Sequence, residues 1–249
     1  VESIFNGNDG VREFRKRSFF FGDQFSIKNG DIVSLSYRYV KSENYKDDNV
    51  FSFAYVLKKH QPYDLRFNYS RGFRTPAIKE LYYDFQGHSP PIVGNQNLKP
   101  TINDYFSFSI DNRNYNMSTS FEVFYNNVRD MIGIKSDLDQ LDNSILIYSN
   151  FNKVNFQGFN FHYNKKISDK HDFKFVYNYT MPSSDNKEAL ELISKNSLRF
   201  TYNYDIVISE LSLQLNVKYA GDKFILDGEQ TIILEDYLLS DVALLIKAS

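Results

Sequence analysis

The chain contains side chains able to do chemistry, but their spacing does not suit catalysis. Its four histidines, His60, His88, His162 and His171, are scattered. No pair has the helical spacing that brings two imidazoles onto one metal. Cysteine is absent, which removes thiolate nucleophiles, disulfides and cysteine metal sites. Carboxylates approach one another in sequence at Asp104 and Asp111 and at Asp137 and Asp139, but acidic residues in loops are ordinarily solvated. The segment SDLDQLDN, with Asp137, Asp139 and Asp142, has the outline of a calcium loop. It lacks the glycine at the sharp turn and the closing bidentate Glu. No GxSxG, phosphate-binding loop or dinucleotide fingerprint occurs, and GHSP at 87–90 is not a nucleophile motif. The expectation is a protein that is not an enzyme, with no catalytic residue, metal or cofactor.

What the chain offers instead is a repeated pattern of strands. Tyr 19 and Phe 23, without Trp, give it many aromatic residues, set among abundant Asn. In DIVSLSYRYV, Val33, Leu35, Tyr37 and Tyr39 share one parity, and Ser34, Ser36 and Arg38 the other. Tyr63, Leu65, Phe67 and Tyr69 alternate in the same way with Asp64, Arg66, Asn68 and Ser70. So do Leu198, Phe200, Tyr202 and Tyr204 with Arg199, Thr201 and Asn203, and Leu211 to Tyr219 with Ser212 to Lys218. A period of two over such lengths predicts strands with one apolar and one polar face. In KVNFQGFNFHYN the parity changes near Gly158, which reads as a bulge.

The connections carry more information than any one strand. NG at Asn29-Gly30, KKHQP, NRNYN, KKISDKH and DIVISE are short. Between them, in alternation, come the longer KSENYKDDN, residues 71–103, SDLDQLDN, PSSDNKEALELISKN and the stretch from Gly221 to about Asp236. In an antiparallel meander, successive connections lie at opposite ends of the sheet. All short turns therefore fall at one end and all long loops at the other, as in outer-membrane barrels. No run of eighteen apolar residues predicts a transmembrane helix, and no signal peptide is visible. A formal net charge of -2 draws the chain to neither nucleic acid nor anionic lipid. The fold class expected is all-β, an antiparallel meander of about eleven strands forming part of a transmembrane β-barrel. A soluble or surface-exposed β-rich binding module and a passive porin-like barrel are the alternative readings.

The longest connection has structure of its own. TPAIKELYYDF predicts a short helix capped by Thr75, with Pro76 early in it and Ile78, Leu81 and Tyr82 on one apolar side. GNQNLKP reads as a turn, closed by Pro100. A loop this long ordinarily has a task, either gripping a ligand or an internal domain, or bracing the rim.

These segments resemble the barrel signature of TonB-dependent outer-membrane receptors. The family pattern S-x-G-F-R-x-P followed by E-L-Y matches Ser70, Gly72, Phe73, Arg74 and Pro76, then Glu80, Leu81 and Tyr82. G-N-x-x-L-K-P matches Gly94, Asn95, Leu98, Lys99 and Pro100. FYNNVRDMIGI, with Asn127, Val128, Asp130 and Ile132, resembles a later strand, as does EDYLLSDVALLIKA. Tyr148, Asn150 and Gly158 resemble the Y-x-N and G-V-E segments, although Phe159 and Asn160 depart from V-E. The resemblance covers nearly everything from about residue 18 onward.

Several expectations follow from the resemblance. Residues 1–249 form part of a 22-stranded barrel, without its plug domain and final strands. The parent protein lies in the outer membrane of a Gram-negative, Bacteroidetes-like source. It takes up a scarce bulky solute (ferric siderophore, haem, cobalamin or glycan) by rearranging its plug. Its partners are that plug domain, a TonB-like energy-coupling protein, membrane lipid or lipopolysaccharide, and a small-molecule or glycan ligand, with no nucleic acid. Candidate ligand or plug contacts in the motif loop are Arg71, Phe73, Arg74, Glu80, Tyr82, Tyr83, His88, Asn95 and Lys99. Arg66, Asn68, Arg199 and Lys218 are expected to face the lumen.

Overall fold

The computed structural model describes residues 2–7, 10–27, 30–60, 62–85, 87, 89–138, 143–206, 211–228 and 230–246. One antiparallel sheet carries most of them. Its strands are β1 (Glu2–Gly7), β2 (Gly10–Ser26), β3 (Ile32–Ser42), β4 (Asp48–His60) and β5 (Tyr63–Arg74). After the excursion come β8 (Thr101–Arg113), β9 (Met117–Leu138), β10 (Ser144–Lys166), β11 (His171–Ser184), β12 (Asn196–Ile206), β13 (Leu211–Ala220) and β16 (Tyr237–Ile246). They pair in chain order, each with the next, so the meander expected from the connections is present. The path holds twelve strands where about eleven were expected, and it begins well before residue 18, at Glu2.

The excursion contributes α1 (Ile78–Tyr82), β6 (Asp84–Phe85) and β7 (Ile92–Val93), and a hairpin of β14 (Lys223–Asp227) and β15 (Gln230–Leu234) fills the connection before β16. The alternation of short and long connections holds at 75–100, 185–195 and 221–236, whereas 43–47 and 139–143, expected to be long, are no longer than 27–31 because the strands run on into them. β8 reaches β9 through residues 114–116, whereas β5 reaches β8 through residues 75–100. β9 and β10 are 22 and 23 residues long and rise past their neighbours at the long-loop end.

Register makes the two faces chemically distinct. On one face Tyr55 lies opposite Phe67, Phe67 opposite Phe108 and Phe108 opposite Val123. The ring centroids of Phe67 and Phe108 are 4.8 Å apart, and those of Tyr69 and Phe106 are 4.7 Å apart. Phe19, Phe21, Phe53, Phe67, Phe106 and Val123 are nevertheless exposed. A contiguous apolar surface of this kind needs a covering medium. The other face carries Ser34, Ala54, Asn68 and Ser107 in successive register.

The largest buried cluster is small and sits at the long-loop end of β9 and β10. Val128, Phe151, Val154 and Ala189 form it, with Met131, Phe156 and Leu190 against it. Ala189 and Leu190 come from a 3-10 helix, Lys187–Leu190, that packs against β9 and β11. This core explains the parity change at Gly158, which is not a bulge. β10 stays in unbroken register with β11 through Gly158↔Thr180 and with β9 through Gly158↔Phe124. Beyond Gly158 the apolar side chains Val154 and Phe156 turn to the packed loops, while Phe159 and Phe161 stay on the aromatic face. Gly158 itself is required by close approach, since a Cβ there would lie 1.9 Å from the Tyr179 carbonyl oxygen.

Candidate functional site

The excursion is anchored at both ends. At its start the Arg74 Nη1 donates to both Glu80 carboxylate oxygens, 2.9 Å each, and Glu80 also accepts from the Ala77 backbone N–H at 2.7 Å. Ala77 is the N-cap of α1, and its side chain makes no cap bond. The expected Thr75 cap is therefore replaced by a carboxylate reaching back from inside the helix, which satisfies one of the free amides of the first turn. Ile78 and Leu81 are buried, as their spacing predicted. Tyr82 packs against Phe14 of β2, with ring centroids 6.4 Å apart. Burial, together with Tyr82 and Glu80 nearby, pushes the Tyr45 phenol above its ordinary pKa, which places the 43–47 connection beside the helix.

The return arm locks onto α1 and then onto the β9–β10 hairpin. Gly94 donates to the Tyr83 carbonyl at 2.6 Å and Asn95 to the Glu80 carbonyl at 2.9 Å. A Cβ on Gly94 would stand 2.7 Å from backbone atoms of Leu81, Tyr82 and Tyr83, so the arm can lie this close only with glycine. The Asn95 Nδ2 donates to the Tyr148 carbonyl at 3.0 Å. Asn150 Oδ1 accepts from the Lys99 N–H at 2.7 Å, and its Nδ2 donates back to the Lys99 carbonyl at 3.0 Å. The G-N-x-x-L-K-P arm and the Y-x-N strand, fifty-one residues apart at this bond, thus meet through direct hydrogen bonds.

A second cluster lies where the sheet leaves the aromatic zone. Pairing between β4 and β5 ends at Ser52↔Ser70. Just past it Arg71 reaches Asp48 at 3.5 Å and Asp104 at 3.6 Å. Asp104 also accepts from the Tyr69 hydroxyl at 2.8 Å and from Arg129 at 2.9 Å. Other tyrosine hydroxyls on the aromatic face bond to polar groups in the same manner: Tyr37 to Asn49, Tyr39 to Asp47, Tyr125 to Asn155 and Tyr177 to Asn196. A row of rings with apolar bodies and polar tips is how a β-sheet meets a membrane–water boundary.

The polar face holds a concavity of about 850 Å³ whose lining includes Asp64, Arg66, Asn68, Asp111, Glu122 and Asn164. Arg66 lies 3.6 Å from Asp111, and the Asn68 Nδ2 donates to Ser107 at 3.0 Å. The Asn112 Oδ1 in the same lining is buried without a hydrogen-bond partner. Arg199 and Lys218 share this face and stand directly opposite each other. Among the described residues there is no group of three His, Cys, Asp or Glu able to hold a metal. Asp137 pairs with Lys135 at 2.9 Å, while Asp139 and Asp142 lie outside the described residues.

The residues expected at the site separate accordingly. Arg74, Glu80, Tyr82, Asn95 and Lys99 come together in and around the folded excursion. Tyr83 stacks on Phe85 at 5.8 Å with the Lys79 ammonium 4.6 Å over its ring. Phe73 carries the Lys16 ammonium at 5.7 Å. Arg71 belongs to the boundary cluster, and His88 lies outside the described residues. Sequence reading missed Asp48 and Arg129 as partners of Arg71 and Asp104. Only the cross-strand register brings them together, and no local motif marks them.

A banded aromatic face backed by a polar concave face, with a folded rim at one end, defines the wall of an outer-membrane β-barrel. The family model described as TonB dependent receptor-like, beta-barrel, matches residues 2–246, and the chain belongs to that family. The family is one of outer-membrane receptors and not of enzymes. Among solved structures, the chain is similar to a mutant of the ferric enterobactin receptor PfeA from Pseudomonas aeruginosa, with a TM-score of 0.75 and 16% identity over 96% of this chain and 38% of that one. The siderophore receptor PirA from Acinetobacter baumannii gives 0.75 and 16% over 98% of this chain and 41% of that one. The copper transporter OprC gives 0.72 and 13% over 95% and 40%. The chain thus spans about two-fifths of the length of these structures. No curated protein sequence matches it.

Proposed function

We propose that the chain forms about half of a 22-stranded barrel wall in an active transporter that takes up a scarce bulky solute. The solute classes are ferric siderophore, haem, cobalamin or glycan. Two of the similar structures are siderophore receptors, so ferric siderophores are the first to test. The long-loop end is extracellular, and the excursion with its candidate contacts Arg74, Tyr82, Tyr83, His88 and Lys99 belongs to the capturing surface. An energy-coupling protein, driven by the inner-membrane proton gradient, rearranges a plug domain inside the barrel. No covalent chemistry is involved.

One observation supports the plug more than any other. Arg199 and Lys218 face each other across β12 and β13 on the side turned away from the aromatic band. Like charges directly opposed destabilise a sheet unless an anion comes between them. A polar plug supplies carboxylates there. The reading is tested by uptake of labelled ferric siderophore into cells carrying the whole receptor, with and without the proton gradient. Accumulation that stops when the gradient collapses supports it. Uptake that persists unchanged marks a passive barrel, and recovery of the protein in the aqueous fraction marks a soluble module.

A further inference from the structure

The backbone of Asp130 is in the left-handed region, with φ 50. A non-glycine residue adopts this only when its surroundings hold it there, and such strain collects at places of function. Here the surroundings are two side chains converging on one carbonyl oxygen. The Thr101 Oγ1 donates to the Asp130 carbonyl at 2.9 Å, and the Asn150 Nδ2 donates to it at 2.9 Å. Thr101 Oγ1 in turn accepts from the Ile132 N–H at 3.3 Å. Asn150 meanwhile holds both backbone polar groups of Lys99. One amide side chain therefore ties together the return arm of the excursion, the first residue of β8 through the shared carbonyl, and both strands of the hairpin.

Contacts farther along the same seam reinforce it. β7 pairs in parallel with β10, Ile92 with Leu146 and Val93 with Ile147, and Leu146 donates to the Pro91 carbonyl at 2.8 Å. The hairpin is itself packed, since a Cβ on Gly133 would lie 2.7 Å from the ring of Phe151, a member of the loop-end core. The arm thus rests on a firm support, and Asn150 is where the two are joined most densely.

We propose that Asn150 is a positioning residue that latches residues 91–101 to the β9–β10 hairpin, so that the excursion and hairpin open and close as one body. The inference rests on the reading above that the excursion belongs to the ligand-capturing surface. It assigns no ligand contact to Asn150 itself. The chemistry requires an amide. An aspartate in its place would still accept from the Lys99 N–H but would turn lone pairs toward the Lys99 and Asp130 carbonyls.

Hydrogen–deuterium exchange on the whole receptor in lipid, without ligand, tests the latch independently of any uptake result. In N150A and N150D, exchange in 91–101 and in 131–150 is expected to rise together, by about tenfold or more, while β11 to β13 keep their protection. D130G, which removes the strain and keeps the carbonyl, is expected to leave both segments protected. A rise in one segment alone, or in neither, overturns the proposal. Should N150A not give the folded, heat-modifiable band on a gel, T101V makes the same measurement. It removes one of the donors to the same carbonyl and is expected to give a smaller but still coupled rise. Failure of siderophore binding by the wild type, with the coupled rise intact, would count against the capturing surface and not against the latch.

Discussion

Arg199 and Lys218 stand directly opposite each other in the β12–β13 register, and no carboxylate pairs with either among the described residues. In isolation this is an electrostatic fault, and in the proposed plug-filled barrel it would become a binding site. The sign of one substitution separates the two cases. If an anionic group of the plug sits between them, Lys218→Gln lowers the stability of the whole receptor by about 1–2 kcal/mol. If the pair is merely repulsive, the same change raises stability by a few tenths to about 1 kcal/mol. The urea midpoint of the refolded receptor in detergent distinguishes them.

Asp104 is the hub of the boundary cluster, serving Tyr69, Arg129 and Arg71 from a side chain only 21% exposed. Its partners are unequal. Arg129 is 47% exposed and contributes little through charge, whereas Arg71 is 22% exposed and would lose one of its two carboxylates. Asp104→Ala is expected to cost about 1–3 kcal/mol, mostly from Tyr69 and Arg71 left short of partners. Arg129→Gln is expected to cost less than about 1 kcal/mol. A larger loss for Arg129→Gln than for Asp104→Ala in the same unfolding assay would contradict the assignment.

Two glycines with the same calculated clash should behave differently. A Cβ on Gly158 meets the Tyr179 carbonyl oxygen at 1.9 Å, and backbone can yield only if β10 and β11 move apart. A Cβ on Gly72 meets Asn103 Oδ1 at 1.9 Å, but that side chain can rotate, giving up its 3.2 Å bond to Asn126. Gly158→Ala is therefore expected to cost about 2–3 kcal/mol and Gly72→Ala about 1 kcal/mol. Equal losses would mean that the sheet relaxes freely at Gly158.

The short turn 167–170 offers a pH prediction outside the membrane-spanning strands. Lys166 Nζ, at the end of β10, lies 2.7 Å from Asp169, and this bond holds the Asp169 carboxyl below its ordinary pKa. The aspartate's small contribution is present above the unfolded pKa and fades as pH falls through the lowered folded value. Titration of Asp169 by NMR should give a midpoint below that of a free aspartate, returning to it in Lys166→Gln. An unchanged midpoint in that variant would remove the pair.

Much of this architecture was legible from the order of residues. Alternation in segments such as YDLRFNYS gave the strands and their faces, because in most of the strands one face is aromatic and the other polar. The order of short and long connections gave the topology. At Gly158 the same rule misled: alternation reports what each face touches, and toward the loop end the polar face trades its open concavity for packed loops. Thr75 looked like a cap because helix starts favour threonine, yet Glu80 supplied the oxygen from inside the helix. The Asn150 bracket and the Arg71–Asp104–Arg129 cluster depend on residues brought together across strands, so no local pattern could reveal their geometry.

The edges of the sheet yield a last prediction, on the 249-residue chain by itself. β16 pairs with β13 alone among the described residues, and it carries apolar side chains on both faces, with Asp241 between Leu239 and Leu245 on one of them. Leu238, Val242, Leu244 and Ile246 on one side and Leu239 and Leu245 on the other are all exposed. Toward the opposite edge β1 covers only residues 10–15 of β2, and past that stretch β2 displays Phe19 at 68% and Phe21 at 63%. A long, flat, apolar edge with unpaired backbone groups recruits further strands, and the wide aromatic face has no hydrocarbon to cover it in water. The chain in buffer is therefore expected to sediment as a heterogeneous assembly and to become uniform only in detergent or lipid. The polar face adds to this, since Arg199 and Lys218 keep their mutual repulsion with only the Tyr237 ring, 6.0 Å from the Lys218 ammonium, to offset it. A monodisperse monomer that melts sharply in buffer would show that the sheet closes its own edges, and the reading of it as a wall awaiting the rest of a barrel would fall.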